Sequence, residues 1–175
     1  MSARRLTLVG LDRIGDIAAG DDLAAILLDA LTAAGEVLQP GDVIALAQKI
    51  VSKAEGRSVR LADVTPSPRA EELASVTGKD SRLCELLLRE THHVVRQREG
   101  LVVVEDTRGM VLANAGIDAS NVAADGESVL LLPEDPDASA RALREAFHHR
   151  TGVAPAVVVI DSIGRAWRQG TIGTA

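Results

Sequence analysis

The sequence predicts an α/β (α+β) fold in which helices flank a mixed sheet. Apolar runs of strand length alternate with segments of helical periodicity along the chain. Apolar residues make up 46% of the sequence, which is enough to build a core. The length of 175 residues suits one domain, so we predict a single domain over residues 1–175.

The first half of the chain predicts two strands and three helices, because β-branched runs favour strands and capped periodic segments favour helices. The predicted strands are 4–11 and 43–47. The predicted helices are 20–35, capped by Asp21 or Asp22, then 67–78, capped by Ser67, and 81–97. The continuous apolar run at 43–47 indicates a buried strand, and we expect a polar loop with Lys49 and Lys53 after it.

The second half predicts a hairpin, a short strand, a helix and a buried strand. The hairpin spans 100–116, with its turn at "DTRG". A short strand from 128 leads through a turn with two prolines to a helix from about Asp137 to Arg150, which stops near Gly152. Residues 154–170 predict a buried strand and then a loop with glycine and arginine. The last residues, "GTIGTA", carry no cap or polar tail, so we expect an interrupted element there.

Composition excludes several classes of protein. A net charge of −6 and a pI near 5.2 disfavour a nucleic-acid partner. The single cysteine, Cys84, excludes an internal disulfide and a cysteine-rich zinc site, and its leucine-rich surroundings predict a core residue. There is no signal segment and no apolar run near the roughly 18 residues of a membrane helix, so we expect a cytoplasmic protein without a membrane partner.

Two aspartates are the strongest candidates for chemistry. Asp161 directly follows a predicted buried strand, in "VVVIDS", and Asp118 lies in the polar stretch "ANAGIDASN". Ligand sites in open α/β sheets collect at the carboxyl ends of strands. With the Ser162 hydroxyl, these carboxylates form an all-oxygen set that suits Mg²⁺ or Mn²⁺. The alternative is structural: Asp118 forms an Asx-turn and Asp161 caps the next segment.

Basic residues give further candidates for anion binding. Lys49 and Lys53 are four residues apart, and either could neutralise phosphate or could simply be solvated. Arg165 and Arg168 flank Trp167, so this segment is either a carboxylate or phosphate clamp or a surface loop. Two adjacent-histidine pairs, His92–His93 and His148–His149, are expected on helices, where neighbouring side chains diverge too far to chelate together.

Four stretches together resemble a known family. "GDVIALAQKIVSKAEGR", "ANAGIDASNV", "LLPEDPDASARALR" and "VVVIDSIGRAWRQG" occur in the order seen in the coenzyme F420-0:L-glutamate ligases, the γ-glutamyl ligases of deazaflavin biosynthesis. The resemblance implies a γ-glutamyl ligase-like fold and an intertwined homodimer. We expect that the chain lacks the family's C-terminal part, which carries a further nucleotide-binding loop and one more metal ligand.

The resemblance also implies an activity. Members use GTP to phosphorylate the terminal carboxylate of the deazaflavin precursor's lactyl tail, and the amine of L-glutamate then attacks the acyl phosphate. They require Mg²⁺ or Mn²⁺ at two sites, with K⁺ as a further candidate cation. The alternatives are a truncated nucleotide- and metal-binding module without ligase activity, or one half of a bifunctional fusion.

Roles follow from the resemblance position by position. The implied nucleotide contacts are Leu11, Asp12, Arg13, Ile14, Gln48, Lys49, Lys53 and Asn121. The implied metal ligands are Asp118, Asp161 and Ser162, where the family commonly has threonine in place of Ser162. The residues expected to be catalytic are Lys53, Asp118 and Asp161.

Overall fold

The computed structural model describes residues 5–119, 127–164 and 171–174, with backbone alone for 162–164 and 171–174. This part of the chain is a mixed α/β structure with five α-helices and small sheets, which confirms the predicted class. The helices are α1 (Leu23–Ala33), α2 (Gln48–Ala54), α3 (Pro68–Thr77), α4 (Ser81–Arg89) and α5 (Pro136–Thr151). None of them is long and apolar enough to cross a membrane.

The strands of the described residues form three small sheets. They are β1 (Val43–Ala47), β2 (Ser58–Arg60), β3 (Thr91–Arg98), β4 (Leu101–Asp106), β5 (Val111–Ala113), β6 (Ser128–Leu130), β7 (Ala156–Gly164) and β8 (Thr171–Thr174). One sheet is mixed, because β7 pairs in parallel with β1 and antiparallel with β8. The others are the antiparallel pair β2–β6 and the antiparallel sheet β3–β4–β5.

Three of the helix caps that the sequence predicts are present. The Asp22 carboxylate accepts a hydrogen bond from the Ala25 amide (3.0 Å), which satisfies an orphan donor at the start of α1. Ser67 caps α3 with Pro68 in the first turn. Gly152 ends α5 in the left-handed conformation, with φ of 76°. Asp22 and Ser67 therefore begin α1 and α3 as predicted and Gly152 ends α5 as predicted, whereas α1 is shorter than the predicted 20–35.

One predicted strand is absent, and one predicted helix is shorter than expected. Residues 5–18 form no strand, and Leu6 and Leu8 are 83% and 87% exposed, because no neighbouring strand pairs with them in the described part of the chain. The helix predicted over 81–97 ends at Arg89, and β3 takes over from Thr91. Pairing of β3 with β4 overrides the helical pattern there, so His92 and His93 lie on an exposed strand.

The strands β1 and β7 exist as predicted, but both are less buried than expected, and β7 continues past Asp161. Within β1 only Leu46 is buried, because β1 is the edge strand of its sheet. Within β7, Val159 is buried but Ile160 is 45% exposed. The polar loop predicted after β1 is instead the helix α2, which begins at the next residue. The consequence is that Lys49 and Lys53 lie on a helix.

The core nearest to α2 joins both ends of the chain. Phe147 of α5 is fully buried and packs with residues of α1, α2, β1 and β7. The buried members of this cluster are Ile17, Leu23, Ala24, Leu27, Leu38, Leu46, Val51, Phe147 and Val159. Aliphatic side chains dominate it, so the single phenylalanine supplies its largest apolar surface. This packing fixes α2 against the mixed sheet.

Candidate functional site

The start of α2 lies beside the end of the parallel strand pair. Ala47, the last residue of β1, pairs with Ile160 of β7, and α2 begins at Gln48. Asp161 follows Ile160 directly and pairs with Thr174 of β8. The strand β7 therefore changes from a parallel to an antiparallel partner between these two residues. Because Asp161 lies inside β7, the alternative in which it caps the next segment is wrong.

Asp118 contacts the same helix through its side chain. Its backbone forms an antiparallel bridge with Leu130, through an Asp118 amide donating to the Leu130 carbonyl (3.0 Å) and the reverse bond (2.9 Å). Its carboxylate forms an ion pair with the Lys49 ammonium of α2. The Asp118 side chain is 20% exposed and that of Lys49 is 43% exposed. Both charged groups are therefore partly shielded from water, which strengthens their attraction. Asp118 and Asp161 thus both border the first turn of α2.

The turn that delivers Asp118 is built from left-handed backbone. Asn114, Ala115 and Gly116 have φ values of 53°, 51° and 68°. An added Cβ on Gly116 would lie 2.5 Å from Cδ1 of Leu132, so glycine is required by space as well as by conformation. The Asn114 Oδ1 atom is buried and has no hydrogen-bond partner among the residues that the structure describes. This turn is therefore a strained and closely packed support, which polar composition alone does not indicate.

The side chains of α2 divide into an internal and an external set. Gln48 is 5% exposed, and its amide nitrogen donates to the Ser52 hydroxyl (2.8 Å) and to the Leu131 carbonyl (3.5 Å). Lys53 is half-buried and lies one turn after Lys49, on the same face. No described carboxylate lies within ion-pair distance of Lys53. The helix therefore directs two ammonium groups outward and one amide inward.

The predicted nucleotide loop at the amino end has two anchored and two exposed residues. Leu11 and Ile14 pack against the core cluster that contains Val51 of α2. Asp12 and Arg13 are exposed, and Arg13 has a left-handed φ of 64°. The apolar pair therefore attaches the loop to the core, and the charged pair remains available to solvent or to a ligand.

Arg57 is a structural residue at this site that the sequence does not single out. Its Nε donates to the Leu132 carbonyl (2.9 Å), and its Nη2 forms an ion pair with Glu90 (2.8 Å). It thereby joins the segment after α2 to the segment after β6 and to the end of α4. The signal for it was present, because Arg57 closes the stretch "AQKIVSKAEGR", but an arginine after a glycine has no distinctive spacing.

The donor set is of the kind that hard divalent cations prefer. Asp118 and Asp161 supply carboxylate oxygens. The carboxylate of Asp118 already binds one cation, the Lys49 ammonium. The described residues contain no group of three or more His, Cys, Asp or Glu that could hold a metal by themselves. Two carboxylates with water and phosphate oxygens remain a fitting set for Mg²⁺ or Mn²⁺.

Several predicted site residues cannot be placed. Asn121, Arg165, Trp167 and Arg168 lie outside the described residues. The backbone of Ser162 lies in β7, opposite Gly173 of β8. The roles proposed for these side chains therefore stay predictions.

Comparison with known proteins identifies the family. A family model described as F420-0:Gamma-glutamyl ligase matches residues 12–175. The coenzyme F420:L-glutamate ligase of Methanothermobacter thermautotrophicus is 41% identical over 170 residues, which cover 97% of this chain and 67% of the relative. Its namesake in Methanopyrus kandleri is 43% identical over 171 residues (98% and 64%), and that of Halobacterium salinarum 42% over 171 (94% and 63%).

These three matches span nearly all of this chain but about two thirds of each relative. The resemblance carried by the four sequence motifs is thus confirmed independently by the family model and by the relatives. The chain belongs to the F420-0:gamma-glutamyl ligase family.

Proposed function

We propose that this chain carries out GTP- and divalent-metal-dependent ligation of L-glutamate to the lactyl-phosphate tail of the deazaflavin precursor F420-0. The observation that supports this proposal most is the ion pair between Asp118 and Lys49 at the first turn of α2, with Asp161 one residue after the β7 partner of Ala47, in a chain of the ligase family. That turn combines carboxylates suited to a metal with ammonium groups suited to phosphate.

The proposed chemistry has two steps. A terminal carboxylate oxygen of F420-0 attacks the γ-phosphorus of GTP, the bond to the β-phosphate oxygen breaks, and GDP leaves. The glutamate amine then attacks the carbonyl carbon of the resulting acyl phosphate, loses a proton and forms an amide as inorganic phosphate departs. A carboxylate alone is a poor electrophile, and phosphorylation converts one of its oxygens into a leaving group.

The residues of this chain would hold and position these charges. Asp118, Asp161 and Ser162 are the proposed metal ligands, for Mg²⁺ or Mn²⁺ at two sites, with K⁺ as a further proposed cation. A bound divalent metal supplies positive charge that offsets the charge of the transferring phosphoryl group. Lys53, which has no described carboxylate partner, is the proposed catalytic contact to phosphate.

The nucleotide would also contact residues remote from α2 in sequence. The loop of Asp12 and Arg13, attached through Leu11 and Ile14, presents exposed charge from the same core cluster as α2. The buried amide of Gln48 is already bonded internally, so its proposed contribution is to hold α2 in register with the segment after β6. Asn121 remains a proposed nucleotide contact.

A homodimer is part of the same proposal. Residues 5–10 expose Leu6 and Leu8 almost fully in the described chain, and apolar surface of this kind is commonly covered in an assembly. Light scattering of the purified chain tests this directly. A mass of one chain at micromolar concentration would contradict the dimer.

The function is tested by a coupled product assay on the 175-residue chain. We expect GDP release and a mass increase of F420-0 by one glutamyl residue when GTP, Mn²⁺ and L-glutamate are all present. Removing Mn²⁺ with a chelator should abolish both GDP release and the mass increase. Binding of GTP and Mn²⁺ without GDP release would instead support a nucleotide- and metal-binding module, and the absence of any binding would refute both functions.

A further inference from the structure

The ion pair between Lys49 and Asp118 joins two residues with different proposed ligands. Asp118 is a proposed metal ligand, and Lys49 is a proposed nucleotide contact, 69 positions earlier in the chain. Yet in this structure the ammonium of Lys49 lies against Oδ2 of Asp118. One carboxylate oxygen cannot accept a close ammonium and a divalent cation in the same direction, because the two positive charges repel.

We propose that Lys49 is an internal counter-ion that competes with the divalent metal for Asp118, so that metal binding releases Lys49 toward the nucleotide phosphates. This inference rests on the proposed function, since it assigns an order of events to the same site. Without metal, Lys49 lowers the cost of holding a carboxylate that is only 20% exposed. With metal, the Lys49 ammonium becomes a phosphate donor.

The geometry of α2 makes this exchange possible. Lys49 has a flexible four-carbon side chain that is 43% exposed, so the ammonium can move without rearranging the backbone. Lys53 lies on the same face one turn later and has no described carboxylate at ion-pair distance. A released Lys49 would therefore join Lys53 in a pair of ammonium groups that face the same direction. Asp118 stays in place, because its backbone is bonded to Leu130.

The exchange couples the affinities of the two ligands. Metal that displaces Lys49 from Asp118 makes one more cation available to phosphate, and phosphate that attracts Lys49 makes Asp118 more available to metal. By linkage the two effects are equal in free energy. The site thus favours the joint binding of metal and nucleotide over the binding of either alone.

The direct test measures Mn²⁺ affinity without nucleotide, from the electron paramagnetic resonance signal of free Mn²⁺. Lys49→Met should bind Mn²⁺ about fivefold more tightly than wild type, the upper range for one partly exposed ion pair. Lys53→Met is the matched control, because it removes the same charge from the same helix face. Its Mn²⁺ affinity should change by less than about twofold, since the Lys53 charge acts on Asp118 only at longer range, where salt screens it.

A reciprocal test uses GTP binding in the presence of a chelator. Asp118→Asn should raise metal-free GTP affinity when Lys49 is present, because it releases the ammonium. In a Lys49→Met background, the same substitution should raise metal-free GTP affinity less, because no ammonium is released. The effects of the two substitutions on GTP affinity should therefore not be additive. Additive effects, or equal Mn²⁺ affinities for Lys49→Met and Lys53→Met, would overturn the exchange.

The outcomes also separate this inference from the proposed function. If wild type binds Mn²⁺ and ligates glutamate but Lys49→Met shows no gain in Mn²⁺ affinity, the exchange alone is wrong. If wild type binds no Mn²⁺ with or without GTP, the proposed function and the exchange both fail.

Discussion

Substitution of Gly116 by alanine should destabilise the turn that carries Asp118. Gly116 has a φ of +68°, and an added Cβ would lie 2.5 Å from Cδ1 and 2.9 Å from Cγ of Leu132. It would also lie 3.1 Å from Cδ1 of Leu112. Leu112 and Leu132 are both buried and pack against each other, so neither can withdraw without opening space elsewhere.

The magnitude has two contributions. A non-glycine residue in the left-handed region costs about 1–2 kcal/mol. Forcing an extra methyl group into a packed contact adds about 1–3 kcal/mol. The expected loss in the free energy of unfolding is therefore about 2–5 kcal/mol, a large part of the roughly 5–15 kcal/mol that holds a typical domain.

Urea unfolding monitored by circular dichroism measures this loss. The matched control is Gly109→Ala in the β4–β5 hairpin, where φ is +84° but nothing lies within 4 Å of the added Cβ. The control should lose only the conformational part, about 1–2 kcal/mol. Equal losses for the two substitutions would refute the claim that close packing against Leu132 fixes this turn.

Three further predictions concern charge and burial. Asp118→Asn and Asp161→Asn should each lower ligase turnover about a hundredfold or more with little change in circular dichroism, because each removes a proposed metal ligand; a near-normal rate in either would exclude its assignment. Hydrogen bonds from Ser67 hold the pKa of Glu85 below its ordinary range, so Glu85 contributes stability above that range and loses it as pH falls through the lowered pKa. In urea titrations, the advantage of wild type over Glu85→Gln should therefore shrink on acidification below about pH 4, and an advantage that grows would contradict this sign. Burial raises the pKa of the Cys84 thiol, so a thiol-reactive dye should label Cys84 slowly in the native chain and rapidly in urea, whereas rapid native labelling would contradict its burial.

Local signals determined what the sequence could predict of the fold. Asp22, Ser67 and Gly152 fix helix ends through hydrogen bonds within a few residues or through a single left-handed φ, so their positions are readable in the sequence. The hairpin around "DTRG" is equally local. Each of these predictions depends on neighbours in the chain, and each is confirmed.

Strand pairing determined what the sequence could not predict. Residues 91–98 continue a segment that begins with helical spacing, and only the pairing with β4 makes them a strand. Residues 4–11 have strand composition, but a strand also needs a partner, and composition does not supply one. The extension of β7 past Asp161 likewise depends on β8.

The candidate site shows the same division. The motifs identified Asp118 and Asp161 as a pair and Lys49 as a separate candidate. The structure joins Asp118 to Lys49 of α2 by an ion pair and places Asp161 one residue after the β7 partner of Ala47. The ion pair between Lys49 and Asp118 is a long-range contact that no spacing rule predicts. The left-handed run from Asn114 to Gly116 was signalled only in part, because asparagine and glycine tolerate this conformation but the alanine between them does not indicate it.

The most direct test of the proposed ligase chemistry follows the oxygen atoms of the activated carboxylate. F420-0 with both terminal carboxylate oxygens labelled with ¹⁸O would be incubated with the chain, GTP, Mn²⁺ and L-glutamate, and the inorganic phosphate analysed by mass spectrometry. Activation through an acyl phosphate predicts one ¹⁸O in each phosphate released and one retained in the new amide. Glutamylated product accompanied by unlabelled phosphate would contradict the account.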